Sequence, residues 1–251
     1  MSEFYKRKIR GLYSPNSKEP YTVSRSGIDL FYQCPKCFYL DKRFGISRPP
    51  GFPFSLNSAV DSLLKKEFDE HRANGEPHPL MKAYGIDAHP FNHEQINLWR
   101  DSLRHGIKYH DEETNLIIRG GVDDIWINHD GELHIVDYKA TSKSSEVNLD
   151  ADWQDGYKRQ VEIYQWLFRK NGFKVSDIAY FVYCNGNANA PAFDGKLEFD
   201  VKIIPYKAEG KINIEKTISS IQECLASEKI PQPGKDCDYC AFYNMRKELE
   251  E

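Results

Sequence analysis

Aspartates and a lysine stand in two short, mainly apolar segments near the middle of the chain, GGVDDIW at 120–126 and IVDYK at 135–139. Carboxylate oxygens are the ligands that Mg²⁺ and Mn²⁺ accept in proteins. A nearby ammonium group adds a further positive charge. These residue types could build a site for a divalent cation, provided that the fold brings Asp123, Asp137 and Lys139 together.

The two segments are predicted to form a β-hairpin, since both are rich in β-branched and aromatic residues and His129-Asp130-Gly131 between them is a turn sequence. With a three-residue turn, Asn128 faces Glu132, and counting outward places Asp123 directly across from Asp137. Cross-strand partners have Cβ atoms roughly 4.5–5.5 Å apart. A register slip of one residue would separate the two aspartates.

Side chains two apart on a strand share a face, so this register predicts an apolar strip that ends in two carboxylates and an ammonium group. Like charges opposite each other destabilise a sheet, and Lys139 neutralises only one of them. A divalent cation would neutralise the rest. The alternative is a solvent-exposed hairpin with salt-bridged side chains. Asp124 is a second candidate acid, but strand alternation sends it to the opposite face. The strip consists of Asp123, Ile125 and Ile127 on one strand and Leu133, Ile135, Asp137 and Lys139 on the other.

The pattern of elements around the hairpin predicts an α/β fold. A helix capped by Ser24 or Ser26 is interrupted at Pro35, and the hairpin strands run over 115–128 and 132–140. Residues 1–20 are predicted to be an N-terminal arm, and 21–251 a single domain. The segment 75–89 is expected to be a loop, and a short cysteine-bearing tail follows the last predicted helix. Further apolar spacing predicts helices at 56–71, 93–105, 155–171 and 214–228, and strands at 178–184 and 197–204.

Three short motifs occur in a characteristic order: G-x-x-D-x-I from Gly120, V-D-Y-K from Val136, and Q-x-x-x-Y from Gln160 to Tyr164. In this order they resemble the PD-(D/E)XK nuclease superfamily and, within it, the RecB-like exonuclease branch. The resemblance implies a restriction-endonuclease-like core, in which a central mixed sheet is flanked by helices, with additional N-terminal helices here. It also implies hydrolysis of phosphodiester bonds, for which bound Mg²⁺ stabilises charge and activates water.

The resemblance further implies roles for individual residues. Asp123 and Asp137 would bind Mg²⁺ or Mn²⁺ with help from the Tyr138 carbonyl, and Lys139 would orient or activate the attacking water. Gln160 and Tyr164 would border the site and touch the DNA backbone.

The same branch usually carries a metal-ligating His or Glu on an earlier helix. Here the matching pattern, Ser58-Ala59-Val60-Asp61, ends in Asp61. Aspartate can still coordinate Mg²⁺, so Asp61 is a candidate third ligand. The alternative is a solvated residue on the surface of the helix.

Two C-x-x-C pairs lie near opposite ends of the chain, Cys34–Cys37 and Cys237–Cys240. Two such pairs in a reducing compartment predict a site of four thiolates. Related RecB-like nucleases join one N-terminal cysteine and three C-terminal ones through an iron–sulfur cluster, and the tail here lacks the third, for which Cys37 would substitute. A 4Fe-4S cluster and Zn²⁺ both remain open. Cys184 and Cys224 are expected to be ordinary core residues.

The composition bounds the function further. A net charge of −4 over 251 residues argues against coating nucleic acid by charge alone. The absence of a long apolar stretch or an N-terminal signal predicts a cytoplasmic protein with no membrane contact. We expect a Mg²⁺-dependent deoxyribonuclease that acts on single-stranded DNA or DNA ends in repair, recombination or defence. It would be exonuclease-like, with a structure-specific endonuclease as the alternative. The rival is a catalytically silent nucleic-acid-binding module held together by its four-cysteine metal site.

Overall fold

The computed structural model describes residues 5–51, 55–210 and 212–250. The chain divides into two compact units. We call them the terminal unit, which comprises Met1–Phe52, His110–Arg119 and Asn213–Glu251, and the sheet unit, which comprises Pro53–Tyr109 and Gly120–Ile212. Residues 1–4 of the predicted arm lie outside the described residues, and residues 5–20 form neither helix nor strand.

The terminal unit begins with strand β1 (Tyr21–Ser24), which pairs in parallel with β4 (Leu116–Gly120). As predicted, Ser24 caps the first helix, where its hydroxyl accepts the N–H of Gly27, and Pro35 starts a second helix instead of prolonging the first. The cysteine-bearing tail, for which the sequence predicted no element, contains a helix. The helices of this unit are α1 (Arg25–Gln33), α2 (Pro35–Phe44), α7 (Ile214–Ala226) and α8 (Asp238–Glu250).

The sheet unit is built on a five-stranded mixed sheet in the order β2-β5-β6-β7-β8. The pairs are antiparallel except for β6 and β7, which run parallel and are joined through helix α6 (Asp155–Lys170). A mixed sheet with helices is the α/β arrangement predicted from the sequence. Its strands are β2 (Ala88–Pro90), β5 (Asp124–Asn128), β6 (Leu133–Thr141), β7 (Ile178–Gly186) and β8 (Phe199–Lys207).

Helix α3 (Ser55–Asn74) packs on one face of this sheet, because its apolar spacing presents Leu64 and Phe68 to the strands. The ring of Phe68 stacks on that of Trp126, with centroids 5.5 Å apart. Val136 and Tyr138 of β6 belong to the same core cluster. The face that carries Asp137 is therefore the other one.

Three local predictions were wrong. The segment 75–89 contains a short helix, α4 (Pro79–Ala83), as well as β2. Helix α5 spans only Ile96–Arg100, since the Asp101 carboxylate accepts the N–H groups of Leu103 and Arg104 and so competes with helix continuation. The long strand expected over 115–128 is two strands, β4 and β5, which belong to different sheets. Strand β3 (Ile107–Asp111) lies in the same sheet as β4.

The break between β4 and β5 falls at two glycines that approach other atoms closely. A Cβ at Gly120 would lie 2.3 Å from Cε1 of Tyr164, and one at Gly121 would lie 2.6 Å from Cα of Ser102. Glycine is therefore required just before Asp123, where the chain turns into β5. This requirement gives the G-x-x-D motif a structural reason.

We expect Gly120→Ala to lower the free energy of unfolding by about 1–3 kcal/mol, because the new methyl group would overpack against the Tyr164 ring. Urea denaturation measures the change. Gly156→Ala is the matched control, since a Cβ there would meet Arg159 Nη2 only at 3.7 Å and the residue lies in helix α6. Equal stability of the wild type and Gly120→Ala would contradict the close packing.

Candidate active site

The pairing of β5 with β6 brings the two predicted aspartates together. Ile125 pairs with Ile135 and Asp124 with Val136, so one further step sets Asp123 opposite Asp137. At the other end, Asn128 donates its N–H to the Glu132 carbonyl at 3.1 Å, as the three-residue turn predicts. The register counted from the sequence is therefore confirmed.

Asp137 is the buried member of this pair, with 1 % of its surface exposed. Its Oδ1 accepts a hydrogen bond from Gln160 Nε2 at 2.6 Å. Its Oδ2 forms an ion pair with the Lys139 ammonium but has no hydrogen bond of acceptable geometry to any described residue. A buried carboxylate oxygen in this state is well suited to bind a cation.

Asp123 lies at the edge of the sheet, with its side chain 24 % exposed. Its Oδ2 accepts the Tyr138 N–H at 3.0 Å, and its Oδ1 lies 3.7 Å from Lys65 Nζ. Burial, reinforced by the charge of Asp137, raises the pKa of Asp123 to about 6, although the neighbouring lysines and the Tyr138 N–H oppose this shift. The two carboxylates are thus in electrostatic conflict.

Asp124, the other candidate acid, points to the opposite face and is fully buried. It accepts hydrogen bonds from Arg72, from Arg100 Nη2 at 2.9 Å and from the Tyr138 hydroxyl at 2.7 Å. Its charge is therefore fully compensated by protein groups. Asp124 therefore has a structural role in the core, on the face opposite to Asp123, as the alternation of side chains along the strand predicted.

Lys139 pairs with Asp137, and its ammonium lies 4.4 Å from the centre of the Tyr157 ring. Burial alone would lower the pKa of Lys139, but the charges of Asp137 and Asp123 outweigh burial and leave the pKa above its ordinary value. Lys139 is therefore a cation at neutral pH. It can stabilise negative charge or hold a water molecule by donating hydrogen bonds.

The two motif residues of α6 have different surroundings. Gln160 is 9 % exposed and its amide holds Asp137, whereas Tyr164 is 3 % exposed and its ring packs over Gly120. Gln160 therefore orients a proposed metal ligand. The described packing of Tyr164 supports the strand break that precedes Asp123, and its contact with DNA stays a prediction.

Asp61 of α3 is 33 % exposed and forms an ion pair with Lys65, one helical turn away, at 2.8 Å. The same ammonium reaches Asp123, so Lys65 lies between the two carboxylates. Lys65 is a residue of this site that was not predicted from the sequence. The i, i+4 spacing from Asp61 was visible, but its approach to Asp123 depends on how α3 packs on the sheet.

A groove of about 590 Å³ borders this site in the sheet unit. Its lining includes Asn57 and Asp61 of α3, together with Lys139 and Tyr157. The groove is large enough to admit a segment of a polymeric ligand as far as Lys139.

The four predicted cysteines converge within the terminal unit. All four are free thiols, and their sulfur atoms lie within 4.8 Å of one another. The shortest separations are 3.6 Å for Cys37–Cys237, 3.7 Å for Cys37–Cys240 and 3.8 Å for Cys34–Cys240. Among the described residues, these cysteines are the one group of three or more His, Cys, Asp or Glu side chains whose possible metal ligands lie so close together. The aspartates do not form another.

Backbone N–H groups favour the thiolate form of one member of this cluster, Cys34. Burial would raise the pKa of Cys34, but the N–H groups of Gly234 and Cys37, together with neighbouring thiols, bring it to about 6. Arg48 Nη2 donates to the Cys237 sulfur at 3.3 Å. Burial and neighbouring thiols instead raise the pKa of Cys37 and of Cys240, so the preference for a thiolate is confined to Cys34. Four converging sulfurs form a donor set that suits a soft metal ion.

Comparison with known proteins assigns the family. The model of the PD-(D/E)XK nuclease superfamily matches residues 22–245, so the chain belongs to this superfamily. No curated protein matches. The solved structure of SSO0001 is similar at 14 % identity over 92 % of this chain and 87 % of that one, with a TM-score of 0.42, too low to support any inference.

Family membership supports a metal-dependent, nuclease-like function and a nucleic-acid substrate. The family also agrees with the α/β fold and its mixed sheet. No helix in the described part of the chain combines the length and the apolar character that crossing a bilayer requires.

The conflict between Asp123 and Asp137 predicts a pH-dependent stability. Because the folded-state pKa of Asp123 is raised, its protonated form stabilises the fold at low pH, and this contribution is lost as the pH rises through about 6. Without added divalent cations, Asp123→Asn should therefore be more stable than the wild type at pH 8, by up to about 3 kcal/mol. Near pH 4 the two proteins should be equally stable.

Urea denaturation at the two pH values measures this difference, without a chelator so that any thiolate-bound metal stays in place. Asp150→Asn is the control, because Asp150 is exposed in the same unit. A stability difference independent of pH would show that burial and the charge of Asp137 do not raise the pKa of Asp123.

Proposed function

We propose that the chain is a Mg²⁺- or Mn²⁺-dependent deoxyribonuclease. The observation that carries this proposal is the pair of facing carboxylates at the end of the β5–β6 hairpin, with a buried Asp137 oxygen that lacks a hydrogen bond and a lysine cation beside it. The residues fit a hard divalent ion, since all the nearby donors are oxygens.

Asp123 and Asp137 would hold the ion, together with the Tyr138 carbonyl. The bound ion would supply charge stabilisation at the phosphoryl group and a more acidic water molecule. Gln160 orients Asp137 through its 2.6 Å hydrogen bond to Oδ1, which leaves Oδ2, the oxygen paired with Lys139, towards the site. The Tyr138 N–H does the same for Asp123.

Lys139 completes the proposed machinery. As a buried cation it cannot accept a proton in this state, so we assign it to holding the attacking water and stabilising the charge that develops on the phosphate oxygens. Tyr157 restricts the ammonium on its other side. The groove along Asp61 and Asn57 would take the nucleic-acid strand.

The narrower function is inferred from motif order. We propose the RecB-like branch, exonuclease-like action on single-stranded DNA or DNA ends, and a cytoplasmic role in repair, recombination or defence. The motifs of β5, β6 and α6 support this assignment.

We expect Asp137→Asn and Lys139→Met each to slow Mg²⁺-dependent cleavage by about 100-fold or more. The first variant removes a charged ligand of the ion, and the second removes the cation that stabilises charge on the reacting phosphate. Purified protein with labelled single- and double-stranded DNA, with and without Mg²⁺ or Mn²⁺, measures the rates. Lys143→Met and Asp150→Asn are charge-matched controls from the same unit.

Wild-type rates in Asp137→Asn would remove this site from the mechanism. Binding of DNA by the wild type without any cleavage would favour the rival function, a silent nucleic-acid-binding module.

We further propose that the four cysteines hold a single Zn²⁺ ion. Four sulfurs about 2.3 Å from one tetrahedral ion stand about 3.8 Å apart, and three of the observed separations are 3.6–3.8 Å. In a four-iron cluster each thiolate binds a different iron, which requires a wider spacing. The geometry therefore supports zinc over the iron–sulfur alternative.

The zinc proposal predicts about one zinc per chain by elemental analysis, and a loss of both the metal and thermal stability in Cys237→Ser, because metal-site energy is folding energy. Cys224→Ser is the control, since Cys224 is a half-buried cysteine of α7 outside the cluster. Purification with iron and sulfide in place of zinc would overturn the assignment.

A further inference from the structure

A second lysine stands at the proposed active site. Lys65 lies on α3 with its side chain 24 % exposed, and its ammonium is 2.8 Å from Asp61 and 3.7 Å from Asp123. An exposed i, i+4 pair on a helix contributes little and would be unremarkable. The contact with Asp123 is different, because Asp123 belongs to another element and is a proposed metal ligand.

The charges of the cluster show what Lys65 contributes. Asp61, Asp123 and Asp137 carry three negative charges, and Lys65 and Lys139 carry two positive ones, which leaves one negative charge. One bound divalent cation would change the net charge of the cluster from one negative to one positive. A second divalent cation would leave three positive charges in a partly buried site, which is costly.

Position leads to the same conclusion as charge. A second ion that bridged Asp61 and Asp123 would need the place that the Lys65 ammonium holds between them. Nucleases that use two ions hold them about 3.5–4 Å apart on shared carboxylates. Here the Lys65 ammonium is already shared by two carboxylates, at 2.8 Å from Asp61 and 3.7 Å from Asp123.

We propose that Lys65, anchored by Asp61, takes the place of a second divalent cation and makes this a one-metal site. This inference rests on the proposed function. It assigns Asp61 to holding Lys65 and not to binding the ion. Lys65 is a positioning residue, which acts through the charge that it presents to Asp123.

The test counts Mn²⁺ ions bound to the full-length protein by electron paramagnetic resonance of the free ion. The wild type should bind one Mn²⁺ per chain. Lys65→Met removes the competing charge, so it should bind a second Mn²⁺, and the first should bind about tenfold more tightly. Lys65→Arg restores a cation and should return the count to one.

Lys66→Met is the matched control, because the adjacent lysine is exposed and its loss changes the net charge equally. It should bind one Mn²⁺ with wild-type affinity. Circular dichroism checks that each variant is folded, and Lys65→Gln serves if Lys65→Met is not.

Two Mn²⁺ ions on the wild type, or an unchanged single ion on folded Lys65→Met, would overturn the inference and leave the metal-dependent nuclease intact. A wild type that binds no Mn²⁺ and cleaves no DNA would instead overturn the proposed function, and this inference with it.

Discussion

The candidate site depends on the confrontation of two carboxylates at the open end of a β-hairpin. The hairpin register forces Asp123 and Asp137 to face each other, and burial makes their repulsion expensive. The groups around them all reduce that repulsion: the Gln160 amide, the Tyr138 N–H and two lysine ammonium groups. A site that is partly compensated by protein groups can bind a cation and still release it.

The adjacent residues Asp123 and Asp124 point to opposite faces of the sheet, so strand geometry gives one a proposed functional role and the other a structural role. Asp124 finds two arginines and a tyrosine hydroxyl on the core face, so all its hydrogen-bonding capacity is used within the protein. Asp123 faces the other way and keeps a carboxylate in reach of solvent. Only the second arrangement leaves oxygen atoms for a metal ion.

The two units carry different kinds of possible metal ligand, carboxylate oxygens in the sheet unit and cysteine sulfurs in the terminal unit. The sheet unit has an extensive apolar core around Trp126 and Phe68 and confines its charged oxygens to one edge. The terminal unit draws together chain segments that are far apart in sequence, and soft sulfur ligands suit that task, since a bound metal adds its binding energy to folding. In the proposed function, hard oxygen ligands serve the chemistry, and soft thiolate ligands would serve stability.

Most of what the sequence determined by itself was local, and the convergence of the two C-x-x-C pairs is the exception. The turn at 129–131 sets the register of the hairpin, strand alternation separates Asp123 from Asp124, and the apolar spacing of 155–171 defines helix α6. Each depends on residues a few positions apart. Only the tertiary structure decided that β4 and β5 part at Gly120 and Gly121 and that Lys65 reaches Asp123, and it alone supplied the sulfur spacing within the four-cysteine cluster. These features depend on how distant segments pack, and no local pattern in the sequence records that packing.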